Sequence, residues 1–160
     1  QDSGGNNLVT SNGSGVITAA GFGKVGQIVT GNTATGATTS SSTYSDTGLT
    51  ATITPTSTSS KVLILLTQNG LSKTSNNTYI ELKLLRDSTQ VGGLIEGAAA
   101  YTNSTATNFV GSSNKMYLDE PASTSALVYK TQFRSVSNQA SVTVQVNTAE
   151  SGIVLMEILP

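Results

Sequence analysis

The sequence predicts an all-β chain: an antiparallel β-sandwich of the jelly-roll kind, with a short N-terminal β-hairpin arm. Three observations predict it. β-branched residues dominate, 25 of the 160 residues being Thr, and such side chains suit a pleated, half-buried surface. Apolar residues recur at alternate positions in short runs about 8–12 residues apart, the pattern of a sandwich or barrel. Helix formers never gather at the helical period. The best seed, Ala98-Ala99-Ala100, is hemmed in by Gly92, Gly93, Gly97 and nearby Thr and Asn. Ser, Thr, Asn and Gly fill 75 of the 160 positions. Disordered chains share that composition, but the grouping of the apolar residues sets this chain apart from them.

Each element follows in turn. Gln1 to Asn7 is a polar lead, and a start at Gln1 without a leader pattern is expected of a processed chain or a fragment. Leu8-Val-Thr10 and Val16-Ile-Thr18 flank Asn12-Gly13, a tight-turn dipeptide, and read as a hairpin. Two strands of that size are not stable alone. Residues 1–22 therefore read as an arm and linker that need another surface, and residues 23–160 as the head. Lys24 to Thr30 is the first head strand, followed by a Gly-, Thr- and Ser-rich loop to Ser42 and a short strand from Thr43 to Thr47. Leu49, Ala51 and Ile53 then alternate with Thr50, Thr52 and Thr54, and Pro55 to Ser60 turns the chain. Lys61 to Gln68 is the most hydrophobic strand, and Asn69 to Asn77 a polar loop. Thr78 to Arg86 sets Ile80, Leu82 and Leu84 against Tyr79, Glu81 and Lys83. Gln90-Val91 is a short strand and Gly92 to Ala106 a long loop. Phe109 to Leu118 ends at Asp119-Glu120-Pro121, and Ser125 to Val136 puts Leu127, Tyr129 and Phe133 on one side. Val142, Val144 and Val146 alternate with Thr143 and Gln145, and Gly152 to Leu159 closes the chain.

Two strands break the alternation. Val62 to Leu66 is apolar on both faces, and so is Ile153 to Ile158 apart from Glu157. One face of each sheet in an antiparallel sandwich ordinarily meets water. A doubly apolar strand implies a covered outer face. Loops or the N-terminal arm are one cover; the favoured one is a second copy of the chain, with Val62, Ile64, Leu66, Val154, Met156 and Ile158 at the contact.

Composition removes most chemistry. The chain has no His and no Cys, so imidazole bases, thiolate nucleophiles, disulfides and Cys/His zinc sites are excluded. A formal charge of −1 argues against nucleic acid as a partner. The longest apolar run is Val62 to Leu66, far short of the roughly 20 residues of a membrane helix, so no membrane insertion is expected. The chain is expected to be no enzyme and to carry no catalytic residue, cofactor or metal. Gly21-Phe-Gly23-Lys-Val-Gly26 has dinucleotide-site spacing but leads into a strand, not a helix whose N-terminus holds a pyrophosphate. Ser112-x-x-Lys115 likewise falls in a strand, where it cannot act as the helical Ser-x-x-Lys of penicillin-binding enzymes. Asp119 and Glu120 read as solvated turn acids. Glu157, a lone charge in an apolar strand, is expected to pair with Lys24, Lys61, Lys130 or Arg134. Asn12, Asn76 and Asn103 head glycosylation-type triplets that chance supplies in such a composition. Asn76, Asn77 and Tyr79, with Tyr101, Asn103 and Asn108 of the long loop, offer amides and aromatic faces suited to a sugar or protein surface.

The order of several short segments carries a resemblance. Gly23-Lys-Val-Gly-Gln-Ile-Val29, Ser42-Thr-Tyr44, Thr47-Gly-Leu49, Ile53-Thr-Pro55 and Ser59-Ser-Lys-Val-Leu63 come first. Leu84-Leu-Arg-Asp-Ser88, Tyr117-Leu-Asp-Glu-Pro121, Tyr129-Lys-Thr-Gln-Phe-Arg134 and Leu155-Met-Glu-Ile158 follow. Over residues 23–159 this series resembles the C-terminal head domains of tail fibres and capsid fibres in tailed-phage virions. The lead Leu8 to Ile17 is similar to hairpins joining fibre shafts to such heads. The strand order also resembles the trimeric jelly roll of the tumour-necrosis-factor and complement-C1q type, in which the first, last and long central strands share the sheet facing the three-fold axis. The resemblance implies a homotrimeric virion structural protein on the particle surface. It implies contact with a host-surface glycan or protein, and with other virion proteins through residues 1–22. The alternatives are a capsid decoration or cement protein anchored by that arm, a bacterial surface adhesin domain and, more distantly, a depolymerase.

Overall fold

The structure, a computed structural model, describes residues 9–11, 17–19, 24–99, 111–137 and 139–160. The strands are β1 (Val9–Ser11), β2 (Ile17–Ala19), β3 (Lys24–Thr33), β4 (Ala37–Thr39), β5 (Ser45–Ile53) and β6 (Lys61–Lys73). They continue with β7 (Thr78–Arg86), β8 (Thr89–Ala99), β9 (Gly111–Asp119), β10 (Leu127–Ser137), β11 (Val142–Val144) and β12 (Ser151–Leu159). β1 and β2 pair with each other as a separate hairpin. One head sheet runs β5-β10-β7-β8, the other β3-β12-β6-β11-β4 with β9 also paired to β6. Every pairing is antiparallel. The chain is an all-β antiparallel sandwich.

The facing sides of the two sheets supply the core. Leu49, Ala51 and Ile53 of β5 and Leu127 and Tyr129 of β10 meet Val62, Ile64 and Leu66 of β6 and Ile153 and Leu155 of β12. A second cluster joins Leu71, Ile80, Leu82, Phe133, Val142 and Val144. Between the two runs a buried polar chain. Thr47 Oγ1 lies 2.6 Å from Thr131 Oγ1, Thr131 Oγ1 donates to Gln68 Oε1 at 2.9 Å, and Gln68 Nε2 donates to Ser151 Oγ at 3.0 Å. It ties β5 and β10 to β6 and β12 across the sandwich.

Several element bounds differ from the sequence reading. β6 continues five residues past Gln68, so the polar loop shrinks to residues 74–77. The extension is paired, Leu71 with Gly111 and Ser72 with Thr143, and Gly70 permits it. Its φ is +61°, and a Cβ there would lie 2.5 Å from Val146 N. β8 spans eleven residues where a long loop is expected, because main-chain pairing with β7 does not need side-chain alternation. The two strands expected at Thr43–Thr47 and Leu49 onward are one, β5. Beyond Val144, Gln145, Asn147 and Thr148 all take positive φ. The expected strand through Val146 therefore stops short and becomes a 3-10 turn.

Candidate functional site

The strand register fixes which side chains face outward from the six-stranded sheet. Met156 is paired with both Ile28 and Leu63, and Leu63 with Leu118. One residue row therefore crosses four strands as Ile28–Met156–Leu63–Leu118. The next row is Thr30–Val154–Leu65–Met116, and the third is Asn32–Gly152–Thr67–Asn114. Val25 and Ile158 extend the face toward Lys61. None of the twelve residues in the three rows is charged. Val25 is 52% exposed, Ile28 58%, Met116 77% and Leu118 45%. These four are the exposed large hydrophobic side chains among the described residues, and all lie on this one face. Gly152, without a side chain, leaves a trough of about 710 Å³ floored by Leu65, Thr67 and Val154 and flanked by Thr30, Asn32, Asn114 and Met116.

This register corrects half of the expected contact set. Val62, Ile64 and Leu66 are 0–2% exposed in the single chain because they point into the sandwich. The outward residues of β6 are Leu63 and Leu65. Val154, Met156 and Ile158 do lie on the outer face, half-buried by their neighbours. Alternation cannot assign parity to a run that is apolar at every position. The usable signal is in β9, where Met116 and Leu118 alternate with Lys115 and Tyr117.

The sandwich has two distinct ends. At the end where β3 begins, Lys24 pairs with Leu159 and Ile158 with Lys61, and Lys61 Nζ meets Glu120 Oε1 at 2.6 Å. Here Glu157 is fully buried. Its carboxylate takes Gln27 Nε2 at 2.8 Å, Thr56 N at 2.6 Å and Thr56 Oγ1 at 2.8 Å. The expected partner was a lysine or arginine, but neutral donors satisfy the charge. Burial opposes ionisation, yet the Gln27 amide, then the Thr56 N–H and hydroxyl, hold the carboxyl down at about 2. A β-bulge makes room: the β3 register slips between Met156 and Ile158, placing Gly26 and Gln27 opposite Glu157. A Cβ on Gly26 would lie 2.9 Å from Leu159 Cδ2 and 3.0 Å from Glu157 Oε2, which explains the last glycine of the nucleotide-like spacing.

Asp119, expected in solvent, is instead buried. Arg86 Nη1 and the Tyr129 hydroxyl both donate to its Oδ2 at 2.6 Å, joining β7, β9 and β10. Burial, with Asp119 second, pushes the Tyr129 phenol up. Glu81 is likewise engaged, by Arg134 Nη2 at 2.8 Å and by the Tyr44 hydroxyl. Asp46 takes Lys130 and Gln132. Each of these carboxylates is tied to its own donors, an arrangement that fastens strands together. Among the described residues no group of three or more acidic side chains could hold a metal ion.

At the opposite end lie the β6–β7 turn and the β10–β11 connection, linked by Thr74 N donating to Ser141 O at 3.0 Å. β8 ends and β9 begins there too, since Ala99 pairs with Ile80 and Gly111 with Leu71. Asn76 is exposed, and Asn77 (φ 53°) and Tyr79 are half-buried at this end. Tyr101, Asn103 and Asn108 lie outside the described residues, as does Asn12. No protein-family model matches the sequence, and no characterised protein matches it.

Proposed function

We propose that the chain is a virion structural protein: the jelly-roll head of a fibre or tail fibre, working as a homotrimer on the particle surface and touching the host. The observation that carries this reading is the outer face of the β3-β12-β6-β9 layer. All the exposed large hydrophobics of the described residues gather there, and such a gathering on a face whose one charged side chain among the paired rows is Lys61, at its margin, marks an association surface. The strand order supports it, since first, last and long central strands lie side by side in this sheet, as in the trimeric heads the sequence resembles. The two-ended layout supports it as well. The head begins at Lys24, and Asn76 lies at the opposite end of the sandwich, the end we assign to receptor contact.

Multivalency then does the work, because three weak loop sites on one trimer raise avidity without new contacts. Sedimentation velocity tests the proposal. The purified protein is expected to run as a trimer, and Met116→Lys as a folded monomer with an unchanged β-type circular dichroism spectrum. A wild-type monomer at tens of micromolar would overturn it. The host role is read by competition. Tyr79→Ala and Tyr101→Ala trimers are expected to block particle adsorption less well than wild type, and equal blocking sinks the receptor assignment.

A further inference from the structure

The exposed hydrophobics are not spread evenly over the outer face. Val25 and Ile28 belong to β3 and Met116 and Leu118 to β9, the two strands at opposite margins of the layer. Among the described residues β3 pairs only with β12 and β9 only with β6, while across the sandwich β3 lies beside β5, where a Cβ on Gly31 would meet Thr50 O, and β9 beside β8, where a Cβ on Gly92 would meet the Tyr117 ring. Leu63, Leu65, Val154 and Met156, on the two strands between, are half-buried by their own neighbours. Charge distinguishes the two margins. Lys24 opens β3, and the exposed Glu120 follows β9 at the same end of the sandwich, beside Lys61.

We infer that copies of the chain meet through unlike margins, the β9 margin of one against the β3 margin of the next. This rests on the self-association proposed above. A contact between like margins, β3 on β3 or β9 on β9, is isologous and closes at two copies, short of the trimer proposed above. A contact between unlike margins brings Glu120 to Lys24 of the neighbour and Met116 and Leu118 to Ile28 and Val25. Such an interface is heterologous, and heterologous contacts close into a ring when the rotation allows.

The chain has no cysteine, so engineered thiols report this contact without background. The Ile28→Cys/Met116→Cys double variant, oxidised mildly at the concentration where the wild type is assembled, is expected to form covalent species up to the size of the native oligomer. Each single variant is expected to stay uncross-linked. The inference is overturned if a single variant cross-links to itself and the double variant stops at dimer. It is also overturned if neither the double variant nor its second version, Val25→Cys/Leu118→Cys, cross-links while sedimenting as the wild-type oligomer. A wild-type monomer overturns the proposed function, and this inference with it, so the two failures are told apart by sedimentation.

Discussion

A carboxylate without a cation beside it keeps its charge in a protein interior only if enough N–H and O–H donors converge on it. Glu157 meets that condition with Gln27 and Thr56, and the consequence is a pH dependence of known sign. Its folded pKa, about 2, lies below the ordinary 4.5, so the stabilisation is present above about pH 4.5 and is lost as pH falls toward 2. Thermal melts of the wild type should lose stability across that window, and melts of Glu157→Gln should lose less. At pH 7 the Gln variant should cost about 1.5–3 kcal/mol, the range for hydrogen bonds to a charged group, and denaturant titration reads it. Tyr129→Phe should cost about 1–2 kcal/mol by stripping Asp119 of one donor while Arg86 remains. No cost in denaturant unfolding would show that the hydroxyl is dispensable. Neither environment was legible in the sequence. The donors to Glu157 come from 101 and 130 positions away, and Asp119 precedes a Glu-Pro that reads as open turn.

At the scale of elements, alternation reads well where one face is polar. Leu49, Ala51 and Ile53, then Ile80, Leu82 and Leu84, then Leu127, Tyr129 and Phe133 are all in the core, as their spacing predicts. It fails where both faces are apolar, as in β6, and where main-chain pairing alone makes the strand, as in β8. The parity of β6 has a direct test. Ile64→Ala should cost about 2–5 kcal/mol, the usual range for emptying a core site. Leu63→Ala should change the stability of the isolated chain much less while weakening its association. Urea titrations showing equal costs would contradict the register. The polar chain between the core clusters makes a third kind of element contact. Thr131→Val removes the hydroxyl that links Thr47 to Gln68 and leaves two buried groups short of a partner. The expected cost is about 1–3 kcal/mol despite the matched shape, and a stabilised Thr131→Val protein would show that the belt is not fully satisfied.

At the scale of the whole molecule, the arm and the head make separable claims. Among the described residues β1 pairs only with β2, and the head sheets begin at Lys24, whose partner is Leu159. The sequence reading sets the division between residues 22 and 23, because a two-stranded hairpin has no core of its own. Among the described residues the buried members of the core clusters lie between Leu49 and Leu155, all within the head. A protein beginning at residue 23 should therefore keep the melting temperature of the full chain within a few degrees and the same sedimentation behaviour. If the arm is the attachment device, that shortened protein should also fail to bind particles lacking the native chain, yet still compete for host adsorption. The combination is diagnostic. Lost particle binding with retained host competition supports a fibre head held by its arm. Lost particle binding without any host competition favours a decoration protein. A shortened chain that no longer assembles would mean that the hairpin, rather than the apolar sheet face, holds the copies together.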